Sequence, residues 1–436
     1  MFVSIFEGLQ LSGAYAMVIG AALVIISSYF CNIIARKTNI PSPLLLIGLG
    51  LLIKVGLEKA GIGDLPFQNL ILELLGTVGL IFIVLEAALD LKLSKDKWPV
   101  IWRSLVVALL ALVVSSFLIA WIFNLLIFHD SMIQSLVYAI PLSIMSSAII
   151  IPSVVGLSED RKEFMVYEST FSDILGIMFF YLLLGNATET STGSVIMAVV
   201  MNISLTLVLS LVVCYALVFV LVRIPGQLKL FLTISVMLLL YVLGKLMHLS
   251  PLVLILVFGL MLNNHKVFWR GPLRNLLDKK KIRTIGHDFH ILTLESAFVI
   301  RTFFFVIFGM TIVLSHLLKW EVAFYAMLVT LSLYLVRLLF LVIFKRKDIF
   351  PLLYIAPRGL ITILLFFSIS SSYPEFESPL FDQGILLFVI MASSIVMTIS
   401  LIQHGLRPDV TIGVDDPYDH SENEPALPPS EDKTAQ

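Results

Sequence analysis

Apolar residues in this chain fall in runs of about twenty, with charged, proline and glycine positions between them. At ~1.5 Å rise per residue, such a run crosses the roughly 30 Å hydrocarbon core of a bilayer. The breaks divide the chain into about thirteen runs, near 12–35, 41–57, 67–89, 99–128, 132–157, 163–185, 193–223, 228–246, 250–263, 289–316, 320–344, 349–371 and 384–405. The pattern predicts an all-α polytopic membrane protein with about thirteen transmembrane helices. An odd number of spans puts the termini on opposite sides.

Two of the runs are interrupted. The fifth holds "PLSIMSSAIIIPSVVG", with Pro141, Ser146, Ser147, Pro152 and Gly156, and the twelfth holds "IAPRGLITI", with Pro357, Arg358 and Gly359 adjacent. Proline and glycine free backbone groups that hydrocarbon cannot satisfy, so such breaks sit beside a cavity or other protein. Taking 193–223 as a linker helix, the fifth run corresponds to the twelfth and the sixth to the thirteenth. Broken helices at matching positions in two halves predict inverted repeats whose breaks cross near the midplane, where a secondary transporter binds its cargo.

Composition agrees with this reading. Of 436 residues, 59% are hydrophobic and 14% charged, against about 45–50% and about 25% in soluble proteins. A net charge of −1 conceals a segregation along the chain. One set of alternate loops carries Arg36, Lys37, Lys92, Lys95, Lys97, Arg103, Arg161, Lys162, Arg223 and Lys229, then the basic stretch 266–283 and Lys345 to Lys347. The opposite set holds only Lys54, Lys59, Lys245 and Lys319. The positive-inside rule then predicts a cell (plasma or inner) membrane protein with its N-terminus outside and its C-terminus cytoplasmic. The basic loop 265–288, with Phe268 and Trp269 interleaved, is expected to lie against anionic membrane lipid. The acidic, proline-containing tail 406–436 is expected to be disordered. Cys31 and Cys214 lie inside apolar runs and suggest neither a disulfide framework nor a metal site. The first residues lack the basic region of a cleaved signal, and the sequon at Asn186 is a bare three-residue match. Nothing points to nucleic acid or a cofactor. Without a histidine-rich set or a nucleophile elbow, an enzyme is not expected.

Few charges remain at membrane depth: Glu73, Glu86, Asp90, Glu168, Asp173, Glu295, Arg301, Arg337 and Arg358. An acid at the bilayer centre costs roughly 2.5–3.5 kcal/mol, so such groups pair or line a cavity. Glu295 with Arg301, and Arg337, are read as static ion pairs or as working groups, with equal weight. Glu86 and Asp90 are read as interfacial residues or as the acidic lining of an entry funnel. In "YESTFSDILGI" (residues 167–177), Glu168 and Asp173 are five residues apart. On a helix that is about 140° around the axis and ~7.5 Å along it, so each faces a different neighbour. Glu168 requires a cation, for which Arg358 is the expected partner. Asp173 is left as a lone carboxylate, and because desolvation disfavours bare charge, it can trade a proton for a cation.

These motifs resemble the monovalent cation/proton antiporter superfamily in its Na⁺/H⁺ exchanger branch. The likeness runs through "IPSPLLLIGLGLLI", "VGLIFIVLEAALDL", "RTFFFVIFGMTI" and, most specifically, "YESTFSDILGI" and "APRGLITILLF". The last two are similar to the family's Glu-Ser-x-x-Asn-Asp and Arg-Gly signatures. The resemblance implies that Asp173 binds the cation (Na⁺ or K⁺) and the proton. It implies that Glu168 pairs with Arg358, and that Ser169 and Ser146 contribute oxygens. The family's asparagine before the aspartate is Ser172 here, and its Thr-Asp-Pro at the broken fifth helix is Ser146-Ser147-Ala148.

The expectation is therefore a secondary antiporter exchanging Na⁺, or Li⁺ or K⁺, for H⁺ by alternating access. Ser172 leaves one titrating carboxylate, which favours an electroneutral cycle. A cation channel or a transport-inactive sensor on the same fold is the alternative. Residues 1–405 would form the transmembrane domain, with 10–90 and 228–316 as a scaffold and homodimer part. Residues 99–185 and 319–405 would form the ion-binding core.

Overall fold

The computed structural model describes residues 13–38, 40–59, 68–94, 96–129, 131–186, 192–223, 229–246, 251–268, 279–312, 319–345 and 349–404. Among them the secondary structure is helical throughout, with no strand. The helices are α1 (Gly13–Thr38), α2 (Ser42–Lys59), α3 (Gln68–Asp90), α4 (Trp98–Phe123), α5 (Met132–Ser143), α6 (Ser147–Ser153), α7 (Glu159–Asn186) and α8 (Thr192–Arg223). They continue with α9 (Lys229–Leu246), α10 (Pro251–Asn263), the short α11 (His265–Phe268), α12 (Lys279–Thr311), α13 (Trp320–Phe344), α14 (Leu360–Ser372) and α15 (Gly384–Gln403). Most apolar runs thus become helices close to their expected limits, while α12 begins at Lys279, well before the expected start near 289. Seven of these segments are individually long and apolar enough to cross a membrane, and α8, α9, α10 and α14 contribute shorter apolar stretches. The chain is a multi-pass membrane protein.

The interrupted runs are interrupted in the structure. The fifth splits into α5 and α6 around the extended residues 144–146, and the twelfth is non-helical from 349 to 359 before α14 begins. Helix α4 ends in a π-helical turn, Asn124–Phe128. Most of the basic loop, the tail 406–436, Lys95 and the last two residues of the sequon lie outside the described residues, as does the side chain of Glu73.

Packing follows two neighbourhoods. Helices α2 and α3 pack on α12, and α10 packs on α3 and α8. Helix α4 packs on α5, α7 and α13, while α13 packs on α15 and α6 on α7. Helix α14 touches α3, α5 and α7, and so meets both neighbourhoods. Helices α2 and α12 approach each other closely. A Cβ on Gly50 would collide with the Val306 carbonyl, and one on Gly309 with that of Ile47. Two glycines at facing positions bring these backbones together, which suits association in lipid, where close van der Waals packing drives helix pairing.

Candidate functional site: a carboxylate between two broken helices

The break between α5 and α6 exposes three consecutive amides, and each has its own acceptor. Met145 N–H donates to Ser172 Oγ at 3.0 Å, Ser146 N–H to the Pro357 carbonyl at 3.0 Å, and Ser147 N–H to Asp173 Oδ2 at 3.0 Å. Helix α7 therefore supplies two of the three acceptors, and the second broken segment supplies the third. The Ser146–Pro357 bond joins the two breaks where they cross. Gly359 is needed at that crossing, because a Cβ there would lie 2.5 Å from Ser146 Oγ.

Asp173 is 2% exposed. Its Oδ2 is engaged by Ser147, while its buried Oδ1 has no hydrogen-bond partner among the described residues. A free, hard carboxylate oxygen at the crossing of two broken helices can bind a proton or a small cation.

Several expected site residues take other positions. Glu168 pairs with Arg337, not Arg358: Arg337 Nη1 and Nη2 lie 2.8 and 3.2 Å from the two carboxylate oxygens. The Arg337 Nε and Nη2 groups also donate to the Leu352 carbonyl. Arg358 belongs to the extended segment, and its guanidinium turns to the end of α5, donating to the carbonyls of Leu142 and Ser143 and to Ala356. A cation is favoured there because the last carbonyls of a helix carry partial negative charge. Sequence reasoning takes Arg358 as the one arginine at the depth of Glu168; the fold puts Arg337 against that carboxylate instead.

Ser172, counted with Asp173, Ser169 and Ser146 as a cation- and proton-site residue from the sequence, accepts from Met145 N–H and so also brackets the break. Ser169 Oγ donates within its own helix to the Val166 carbonyl. Ser146 lies at the crossing itself. Ser147, which sequence reasoning noted only as a departure, supplies the amide that holds Asp173. No side-chain pattern signals that contact.

Glu86 and Asp90 of α3 are paired. Glu86 meets Arg301 at 3.1 Å and Asp90 meets His290 at 2.8 Å, tying α3 to α12. Side-chain exposures of 14% for Glu86 and 27% for Asp90 leave both acids partly accessible. Arg301 thus turns to Glu86, not to Glu295, which is exposed. Six residues along one helix place two side chains ~120° apart, too far round to meet.

Such a site, on two crossed broken helices in a multi-pass bundle, defines an ion-coupled membrane transporter. The model of the family described as "Sodium/hydrogen exchanger, transmembrane" matches residues 21–403, and the chain belongs to that family. Its activity class is cation/proton antiport, not enzymatic conversion. No curated protein sequence matches the chain. Among solved structures, the fold is similar to that of the sodium proton antiporter MjNhaP1 from Methanocaldococcus jannaschii at pH 8. That match has a TM-score of 0.65 and 20% identity, covering 90% of this chain and 99% of the other. An electron-microscopy structure of the same antiporter matches with a TM-score of 0.62 and 21% identity, over 90% of this chain and 96% of the other.

Proposed function

We propose that the protein exchanges Na⁺ for H⁺ one for one, with Asp173 as the shared site. The observation that carries this reading is the division of labour between the two oxygens of Asp173. Oδ2 is fixed by the Ser147 amide, and Oδ1 is left for cargo. A proton on Asp173 lowers the site's charge and displaces the cation, and a bound cation excludes the proton. Ser146, at the crossing, is a candidate for a further oxygen.

Transport then requires Asp173 to face each side in turn. In this reading α4–α7 and α13–α15 move as a unit against a scaffold of α1–α3 and α9–α12, which also forms a homodimer. The cycle is electroneutral because the acids that could add a second proton-binding step, Glu168 and Glu86, are held by Arg337 and Arg301. The N-terminus faces outward and the C-terminus the cytoplasm.

The test is pH-gradient-driven exchange in proteoliposomes, with Na⁺, Li⁺ and K⁺ supplied in turn. Saturable proton movement that depends on Na⁺ supports the reading. Cation conductance without proton movement would replace it with a channel, and silence with all three cations in well-folded protein would point to a sensor.

A further inference from the structure

Behind Asp173, on the side of α7 that faces α4 and α13, lies a small cavity of about 20 Å³ whose polar lining residues are all buried. Its polar lining is Ser115, Ser143, Glu168, Ser172, Arg337 and Arg358. Donors and acceptors around it do not balance within the protein. The side chain of Arg358 carries five N–H groups, and three of them reach carbonyls. Among the described residues Glu168 accepts only from Arg337, which leaves lone pairs on both oxygens. The Ser172 oxygen accepts from Met145, so its own hydroxyl proton is free to donate. Ser115 and Ser143 donate to carbonyls of their own helices and keep lone pairs to offer.

We propose that this cavity holds one buried water molecule that accepts from Arg358 and donates to Glu168, so that the two residues meet through it. Size and charge both select this ligand. A water needs roughly 10–15 Å³ of such volume and two to four polar partners. Two guanidinium groups at the wall exclude a cation, and the Glu168 carboxylate excludes an anion. What remains is a neutral dipole of one heavy atom that both donates and accepts. Arg358 N–H and Ser172 O–H point donors at it, while Glu168 and a serine oxygen accept its protons. The water joins the buried ion pair to the bracket residue Ser172, one position before Asp173. It fixes the rotamers of three side chains that no direct bond links.

This inference goes beyond the transport reading, and its test does not use transport. A map of the full-length protein in lipid nanodiscs, at a resolution where other buried waters are visible, decides it. A single ordered peak is expected, within about 2.7–3.2 Å of an Arg358 nitrogen and a Glu168 oxygen. No peak there, or a peak ringed by oxygens at about 2.3–2.6 Å as a cation would be, overturns it. The same map on Ser172→Asn provides a second check, because the longer amide carries both a donor and an acceptor into the same space. Replacement of the peak by the amide is expected in folded protein, and a peak unmoved beside the new side chain would refute the assignment.

Discussion

Arg337 on α13 grips both carboxylate oxygens of Glu168 on α7, and the two side chains are 5% and 1% exposed. Two helices of one packing neighbourhood are therefore pinned by a bidentate, deeply buried pair. Removing one partner of such a pair leaves the other charge uncompensated, typically at a cost of about 3–5 kcal/mol. Arg337→Met and Glu168→Gln should each lower the thermal unfolding temperature of the purified protein. In a double-mutant cycle the pair should couple by at least about 1 kcal/mol. Additive effects would mean that the contact contributes nothing.

Asp173→Asn retains an oxygen for the Ser147 amide but cannot release a proton. The variant should insert and unfold like the parent, with exchange reduced to the level of empty liposomes. Cation-dependent proton flux in well-folded Asp173→Asn protein would remove Asp173 from the mechanism.

Competition for one carboxylate also fixes a pH trend. If proton and cation exclude each other, the apparent affinity for the cation falls as the medium is acidified, by up to about tenfold per pH unit once the site is mostly protonated. The maximal rate at saturating cation should be far less sensitive on that side of the membrane. An apparent affinity that does not change across the working range would show that the two ions bind at different places.

An electroneutral cycle carries no charge across the field, whereas each net charge moved would gain or lose ~2.3 kcal/mol per 100 mV. Clamping proteoliposomes with K⁺ and valinomycin should leave the Na⁺/H⁺ exchange rate unchanged. Glu86, an acid of α3 that stays partly accessible, is the acid to substitute first if the rate follows voltage.

Gly50 and Gly309 set the spacing of α2 and α12. A methyl group on Gly309 meets the Ile47 carbonyl, and backbone cannot move aside as a flexible side chain can. Gly309→Ala should destabilise by about 1–3 kcal/mol through overpacking, read as a lower unfolding temperature. An unchanged temperature would mean that the helices part at no cost.

Much of this molecule was legible from pattern, because lipid imposes length and apolarity on every span. The breaks were legible too, since Pro141, Pro152, Pro357 and Gly359 each alter the backbone in a known way. Partner choice was not. Glu168 is assigned to Arg358 from depth alone, yet it meets Arg337 on a regular helix, because Arg358 is drawn to the open carbonyls of α5. Glu86 and Asp90 could be placed on α3 but not matched to Arg301 and His290, which lie some 200 residues further along the chain. The hold of Ser147 on Asp173 was invisible because an amide donor has no side-chain signature.

That last contact also gives the carboxylate a mechanical role. A hydrogen bond to an ionised acceptor is roughly twice as strong as one between neutral groups. Protonating Asp173 therefore slackens its tether to Ser147 and, through Ser147, the start of α6, whereas deprotonation tightens it. Since Ser146 next door is bonded to Pro357, strain introduced at one break is handed directly to the other. In the proposed exchange cycle the crossing would act as a load cell: the protonation state of Asp173 would set the tension on both interrupted helices at once.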